Sequence, residues 1–395
     1  MHKYRDVTEY EYIATQVAFD ELCEHYAQQT VLAIDTEFVR TQTLTPLLGL
    51  VQIFDGTRLA LIDPVAVTDL QGLADLLTNQ SIVKVAHSCS EDLEALWHAL
   101  GVIPAPIFDT QFAAGLLDKG VSIGYANLVE QLFEISLDKG ESRTDWMQRP
   151  LSTAQLSYAA ADVTHLMAIY ESLLPLTEAK DITSWVYQEI AQLGIKKSTP
   201  VASEYAYLHL KNIWKLNSRS LAAFRMLAKW RLEEARRENK SVNFVLKEDA
   251  MYELALKLPL NTQKLFEIKA LYSKPARMYK DVILSICTQA KAFDAEQCPP
   301  KVQRLIEFSG YKGALAALKK EIEEAAQQHN IPVSLLASKK QMNQLLQWCW
   351  FDIDELAIQG MRPDMLCSWR RTVLIERLQT LLPILSSRHE IKRSL

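Results

Sequence analysis

The apolar run Val31-Leu32-Ala33-Ile34 ends in two acids, Asp35 and Glu37, separated by Thr36. Such a run reads as a buried strand, and residues two apart on a strand share a face. Both carboxylates therefore point to the same side at the mouth of a sheet. Like charges held together repel and resist desolvation, and a divalent metal is the simplest group that relieves both. Downstream, Tyr158-Ala-Ala-Ala-Asp162 sets a phenol and an acid at i, i+4, one face of a helix. A further acid follows the strand-like segment 82–86. In His87-Ser88-Cys89-Ser90-Glu91-Asp92, Ser90 is a credible N-cap that puts Asp92 in the first helical turn. Compensation of the helix dipole is the bland account of Asp92. Its place just past the carboxyl end of a strand, where α/β sheets bind ligands, is the functional one. Asp109 competes for that role and reads as the cap of the next helix. Asp35, Glu37 and Asp162 with Tyr158 look like a two-metal phosphodiesterase site.

These residues need a sheet with helices laid on it. Strand patterns fall near 31–37, 50–54, 59–62 and 82–87, and helical patterns near 91–100, 110–118, 125–133 and 153–174, which predicts an α/β sheet domain. In the last helix, Leu156, Ala160, Val163, Met167 and Tyr170 form a packing stripe, whereas Tyr158, Asp162 and His165 form a second one that can line a site. His165 reads as a surface histidine or one supporting the ligands. Beyond residue 196 the pattern is helical throughout, with a long amphipathic stretch at 218–240. Proline and loss of periodicity near Pro200 and at Pro299-Pro300 mark two boundaries. The expected domains are 1–200, 205–290 and 298–380: one α/β unit followed by two small all-α units.

Charge divides the chain in the same way. The net charge of −5 conceals balances of −16 for residues 1–204, +7 for 205–296 and +4 for 297–395. An acidic part suits cation binding and basic parts suit a polyanion, although solvated helix faces can also differ in sign. Lys211, Lys215, Arg219, Arg225, Lys229, Arg231, Arg236, Arg237 and Lys240 alternate with Trp214, Phe224 and Trp230. Here the aromatics read as core and the positive surface as a contact for the phosphates of a polyanion. Trp348-Cys349-Trp350-Phe351 reads as core of the last unit. The six cysteines are scattered without a Cys-x-x-Cys pair, as expected in a reducing cytoplasm. No apolar stretch approaches the ~20 residues of a membrane span, and no signal core follows Met1. A Gly-x4-Gly-Lys-[Ser/Thr] phosphate loop is absent from the sequence.

In order, Asp35-Thr36-Glu37, His87-x4-Asp92 and Tyr158-x3-Asp162 resemble the three exonuclease motifs of the DEDD superfamily, in its tyrosine-bearing branch. Closer still, the segments 87–93, Phe108-Asp109-Thr110-Gln111, Glu141-Ser142-Arg143-Thr144-Asp145-Trp146 and Tyr158-Ala-Ala-Ala-Asp162-Val163 resemble the ribonuclease D family. Residues 205–285 and 298–378 each resemble an HRDC domain. Cys89 departs from the small residue expected at its position, without touching a catalytic role. The resemblance implies a ribonuclease H-like 3′-5′ exonuclease domain with a mixed sheet. It implies that Asp35 bridges two Mg²⁺ or Mn²⁺ ions, that Glu37 and Asp162 complete one, and that Asp92 supports the other. Tyr158 is then the residue that aims the attacking water. The implied reaction releases 5′-mononucleotides from RNA 3′ ends, with tRNA precursors as substrates. A DNA exonuclease and an inactive RNA-binding scaffold are the competing readings. The acid set speaks against the scaffold, and the missing phosphate loop against a helicase-linked DNA enzyme.

Overall fold

The structure, a computed structural model, describes Tyr4 and residues 9–137, 144–386 and 391–395; Glu141-Ser142-Arg143 lies outside the described residues. Six strands form one mixed sheet: β1 (Glu11–Ile13), β2 (Val31–Val39), β3 (Leu47–Phe54), β4 (Leu59–Ile62), β5 (Val83–Ala86) and β6 (Ile107–Asp109), in the order β1-β4-β3-β2-β5-β6. The hairpins β2–β3 and β3–β4 are antiparallel; β5 lies parallel to β2, and β6 parallel to β5. Alternation along β2 serves two cores, with Ala33 in one and Leu32 and Ile34 in the other. Helices Thr110–Leu116, Thr153–Thr164 and Leu166–Ala179 cover the first face, and Gln16–Tyr26, Gln71–Thr78 and Ser90–Leu100 the second.

The expected α/β class is observed, with local differences. The four expected strands are present, β2 and β3 being longer than their apolar centres. Strands β1 and β6, three residues each, are too short to show a period. The helix expected over 153–174 is two helices, Thr153–Thr164 and Leu166–Ala179, broken at His165. His165 is buried rather than at the surface. Cys89, not Ser90, occupies the N-cap of the Ser90–Leu100 helix and makes no side-chain cap bond there.

The segment before the Thr153–Thr164 helix is tied to the sheet by a single arginine. The β2–β3 register slips between Glu37 and Phe38, whose partners are Leu50 and Leu48, so Gly49 is the extra residue of a bulge. A Cβ at Gly49 would stand 2.6 Å from the Trp146 carbonyl, so only glycine lets that loop approach. Arg149 donates to the freed Gly49 carbonyl (2.6 Å), to the Trp146 carbonyl (2.8 Å), and in a two-pronged fork to Asp63 (2.7 Å each). Tyr12 donates to the same carboxylate (2.5 Å). The next helix then starts from a reciprocal cap between Ser152 and Gln155.

The two helical units differ in how they attach. The first, centred on Ser218–Glu238, Glu248–Lys257 and Lys280–Ala292, has its own core. It meets the sheet domain where Asn239 accepts from Thr45 and where the Ser241 amide donates to the Gln42 carbonyl. The second, centred on Tyr311–His329, Lys339–Trp350 and Ser368–Thr380, shares a continuous core with the sheet domain. Trp369 stacks on Trp185 at 4.9 Å, and Glu189 accepts from Trp369 Nε1 (2.8 Å) and from Arg370. Trp348, Cys349 and Trp350 are buried, as the sequence led us to expect. No helix among the described residues is long and apolar enough to cross a membrane.

Replacing Arg149 by Met should leave the buried Asp63 carboxylate uncompensated and cost about 3–5 kcal/mol. Burial works to raise the Asp63 pKa, but the Arg149 fork and the Tyr12 hydroxyl hold it below the ordinary range. A depressed carboxyl pKa contributes stability that is present above the unfolded value of about 3.9 and is lost as pH falls through the folded value. The difference between wild type and Arg149→Met in thermal unfolding should therefore be full at pH 7 and shrink below about pH 4.

Candidate active site

Strand β2 delivers Asp35 and Glu37 to the face covered by the Thr153–Thr164 helix, which presents Tyr158 and Asp162. Ligand oxygens of Asp35, Glu37 and Asp162 all lie within 4.8 Å of one another. Asp92 arrives from the other layer. Thr36, between the two acids, points to the opposite face by strand alternation, and its hydroxyl donates to Asp92 Oδ1 (2.5 Å). Asp-Thr-Glu thus gives two ligands to one side and a tether for the fourth acid to the other. This tether accounts for Asp92 standing beside the tight triplet rather than within it.

The electrostatics are those of a cation site. Burial first, then Asp92, Asp162 and Glu37, push the Asp35 carboxyl well above its ordinary value. Burial, then Asp162 and Asp92, push Glu37 up to about 9. Burial raises Asp162 to about 7 against the opposing hydrogen bond of Tyr158. Burial also raises Asp92 to about 6, although the Thr36 hydroxyl favours its charged form. Four carboxyls that each resist ionisation, with oxygen as the only donor, fit hard divalent ions such as Mg²⁺ or Mn²⁺. Tyr158 hydrogen-bonds Asp162, and burial together with the nearby acids drives its phenol far above the ordinary value, so it stays protonated and acts as a donor.

Asp109 is a cap: its two oxygens accept from the amides of Phe112 and Cys89, both at 2.9 Å. Asp92 is the acid beside the triplet, near enough for its charge to push up Asp35 and Glu37. Three residues near the site were given no role by the sequence. Gln52 pairs with Asp35 across the ladder, is fully buried, and its amide atoms find no partner among the described residues. Trp146 is buried with its ring 6.3 Å from that of Tyr158. Tyr125, on the Tyr125–Phe133 helix, donates to the Ala161 carbonyl beside Asp162 (3.1 Å). Of these, only Trp146 stood in a motif, and nothing in the motif placed it beside the phenol.

The chain is similar to known proteins over most of its length. A family model described as 3′-5′ exonuclease matches residues 10–178, an HRDC domain matches 220–287, and the C-terminal HRDC domain of ribonuclease D matches 309–378. Ribonuclease D of Shewanella sp. (strain ANA-3) is 39% identical, with 95% of each chain covered. The chain belongs to the ribonuclease D family. Ribonuclease D of Escherichia coli (strain K12) is 38% identical over 94% of this chain and 98% of its own. The crystal structure of E. coli RNase D, described as an exoribonuclease involved in structured RNA processing, superimposes with a TM-score of 0.88. It is 36% identical and covers 95% of this chain and 98% of its own. Membership of the ribonuclease D family makes this chain a 3′-5′ exoribonuclease, with the mixed-sheet exonuclease domain followed by helical HRDC domains.

Asp35→Asn should relieve repulsion in the metal-free protein, so its unfolding temperature in EDTA should equal or exceed that of the wild type. Mg²⁺ or Mn²⁺ at a hundredfold excess over Kd should stabilise the wild type by about 2.7 kcal/mol and the variant far less. A thermal-shift titration reads both effects.

Proposed function

We propose that this exoribonuclease trims 3′ extensions of structured RNA, tRNA precursors in particular, releasing 5′-mononucleotides with the help of two divalent ions. The observation that carries the reading is the convergence of Asp35, Glu37 and Asp162 within 4.8 Å, with Asp92 tethered alongside. Asp35, Glu37 and Asp162 would hold one ion, and Asp35 with Asp92 the other. When bound, such ions lower the pKa of water and neutralise charge on the reacting phosphate. Tyr158, protonated and held by Asp162, orients the attacking water by hydrogen bonding. Attack at the terminal phosphorus breaks the P–O3′ bond; the phosphate leaves on the released 5′-mononucleotide, and the shortened chain keeps a 3′-hydroxyl. E. coli RNase D, described as acting in structured RNA processing, supports the substrate class. The proposed domains are 1–200, 205–290 and 298–380, and the matches at 10–178, 220–287 and 309–378 fall inside them. Six unpaired cysteines are in keeping with a cytoplasmic setting.

Much of the basic stretch at 211–240 is engaged within the protein. Arg219, Arg231 and Arg236 donate to backbone carbonyls, and Lys229, Arg237 and Lys240 pair with glutamates. The better RNA anchor is a cavity of about 430 Å³ on the first helical unit, lined by Lys240, Lys247, Lys274, Phe244 and Tyr272 and by Gln42 of the β2–β3 loop. Phe244 and Tyr272 are exposed, and the Lys247 ammonium lies 4.3 Å above the Tyr272 ring. Cations beside exposed rings suit single-stranded RNA.

On 3′-labelled RNA, Mg²⁺ should yield mononucleotides and EDTA none; preference for a matched DNA strand would favour the DNA reading. Tyr158→Phe should lower kcat roughly 100-fold while Mn²⁺ binding survives. Equal loss of metal affinity would show instead that the phenol supports the ligands.

Lys247→Glu with Lys274→Glu should raise KM for a folded tRNA precursor more than they lower kcat, the pattern of lost uniform binding. They should also flatten the log–log salt dependence by about 0.7 per lost phosphate contact. Unchanged KM and salt slope would remove the anchoring role.

A further inference from the structure

The break in the helix that carries Asp162 has no breaker in its sequence: residues 153–165 contain neither proline nor glycine. Breaks of this kind arise where a side chain enters the i→i−4 ladder. The phenol of Tyr125 does so here. Its hydroxyl donates to the Ala161 carbonyl (3.1 Å) and lies near enough to the His165 backbone for that group to work against the upward shift that burial gives the phenol. Those are the two groups that an uninterrupted helix would join to each other. The His165 N–H is also drawn to the Val163 carbonyl, and the Thr164 hydroxyl returns to the Ala160 carbonyl (2.8 Å), which adds to the bend. The helix resumes with the Ile169 amide on the His165 carbonyl (2.9 Å).

Tyr125 is itself braced. The His87 ring meets it edge-on, with centroids 5.6 Å apart and planes at 61°. Both His87 nitrogens are engaged, Nδ1 with Thr110 Oγ1 (2.8 Å) and Nε2 with the Ile123 carbonyl (3.1 Å). A nitrogen facing a carbonyl must carry the proton, so the imidazole orientation is fixed. His87 opens the second sequence motif, and the metal chemistry leaves it without a task.

We infer that Tyr125, braced by His87, is a positioning residue whose hydroxyl, set into the helix ladder between Ala161 and His165, fixes the turn that aims Asp162 at Asp35 and Glu37. The inference rests on the reading of Asp162 as a metal-holding acid. A hydroxyl at the tip of a rigid ring can stand between both backbone groups at once. Without the hydroxyl the Ala161 carbonyl and the His165 amide close on each other, the axis straightens, and the turn bearing Asp162 rotates. A cluster spanning 4.8 Å tolerates little of that.

The test is Tyr125→Phe in the full-length protein, which keeps the ring and removes only the hydroxyl. Mn²⁺ affinity measured by calorimetry should fall about 10-fold or more, within the 10–100-fold range typical of groups that orient metal ligands. Turnover should fall in step, while KM for RNA and the metal-free unfolding temperature stay close to wild type. His87→Gln keeps hydrogen-bonding capacity but loses the aromatic edge. It should show a smaller loss of Mn²⁺ affinity that does not add to that of Tyr125→Phe in the double variant, as expected of residues acting as one unit. Wild-type Mn²⁺ affinity in Tyr125→Phe, or full additivity of the two losses, would overturn the inference. Asp162→Asn, measured alongside, separates the two levels. If it binds Mn²⁺ and turns over normally, the metal-site reading fails and this inference with it. If it is inactive while Tyr125→Phe is normal, only the inference fails.

Discussion

Four carboxyls must be held close together although each one penalises the others, and the rest of the sheet domain is organised around that repulsion. Burial adds to the penalty, since a carboxylate removed from water loses its solvation. The isolated acids would move apart unless rigid elements prevented it. Two of them therefore sit on strand β2, where the antiparallel ladder with β3 pairs Asp35 with Gln52 and Glu37 with Leu50 and fixes the spacing. The third rides on a helix packed across that strand, and the fourth is tethered by the Thr36 hydroxyl. Repulsion of this kind is the counterpart of affinity: what destabilises the empty cluster is what a cation relieves.

Rigidity at the cluster comes from places that hold no charge of their own. The bulge at Gly49 frees a carbonyl for Arg149, and the same guanidinium grips Asp63 and the Trp146 carbonyl. One side chain thus binds β3, the end of β4 and the loop leading to the Thr153–Thr164 helix. Trp146, clamped over Gly49, packs near the ring of Tyr158. A strand irregularity and an arginine therefore place a tryptophan beside the phenol.

The parts of this arrangement that follow from local spacing were legible in the sequence. Asp35 and Glu37 at i, i+2 after an apolar run, and Tyr158 and Asp162 at i, i+4, state their own faces once strand and helix are assigned. The order of the motifs carried the family. Illegible were the contacts that only the folded chain creates. The break at His165 has no sequence breaker because its cause, Tyr125, lies some forty residues away. Asp92 and Asp109 could be ranked but not separated, since what decides is the backbone amides that Asp109 captures. The basic stretch of the first helical unit suggested a binding face, yet several of its cations cap carbonyls or pair with glutamates. Charge along a sequence does not say which charges remain free.

The seam between Trp185 and Trp369 also bears on the order in which the protein is made. The ribosome releases the sheet domain first, and domains generally begin to fold as they emerge. The face that carries Trp185 and Phe112 receives its cover only when Trp369 follows, close to the end of the chain. Until then that apolar surface stays open. A nascent nuclease is thus left less settled than the finished one, and its last helices complete the core that its first half began.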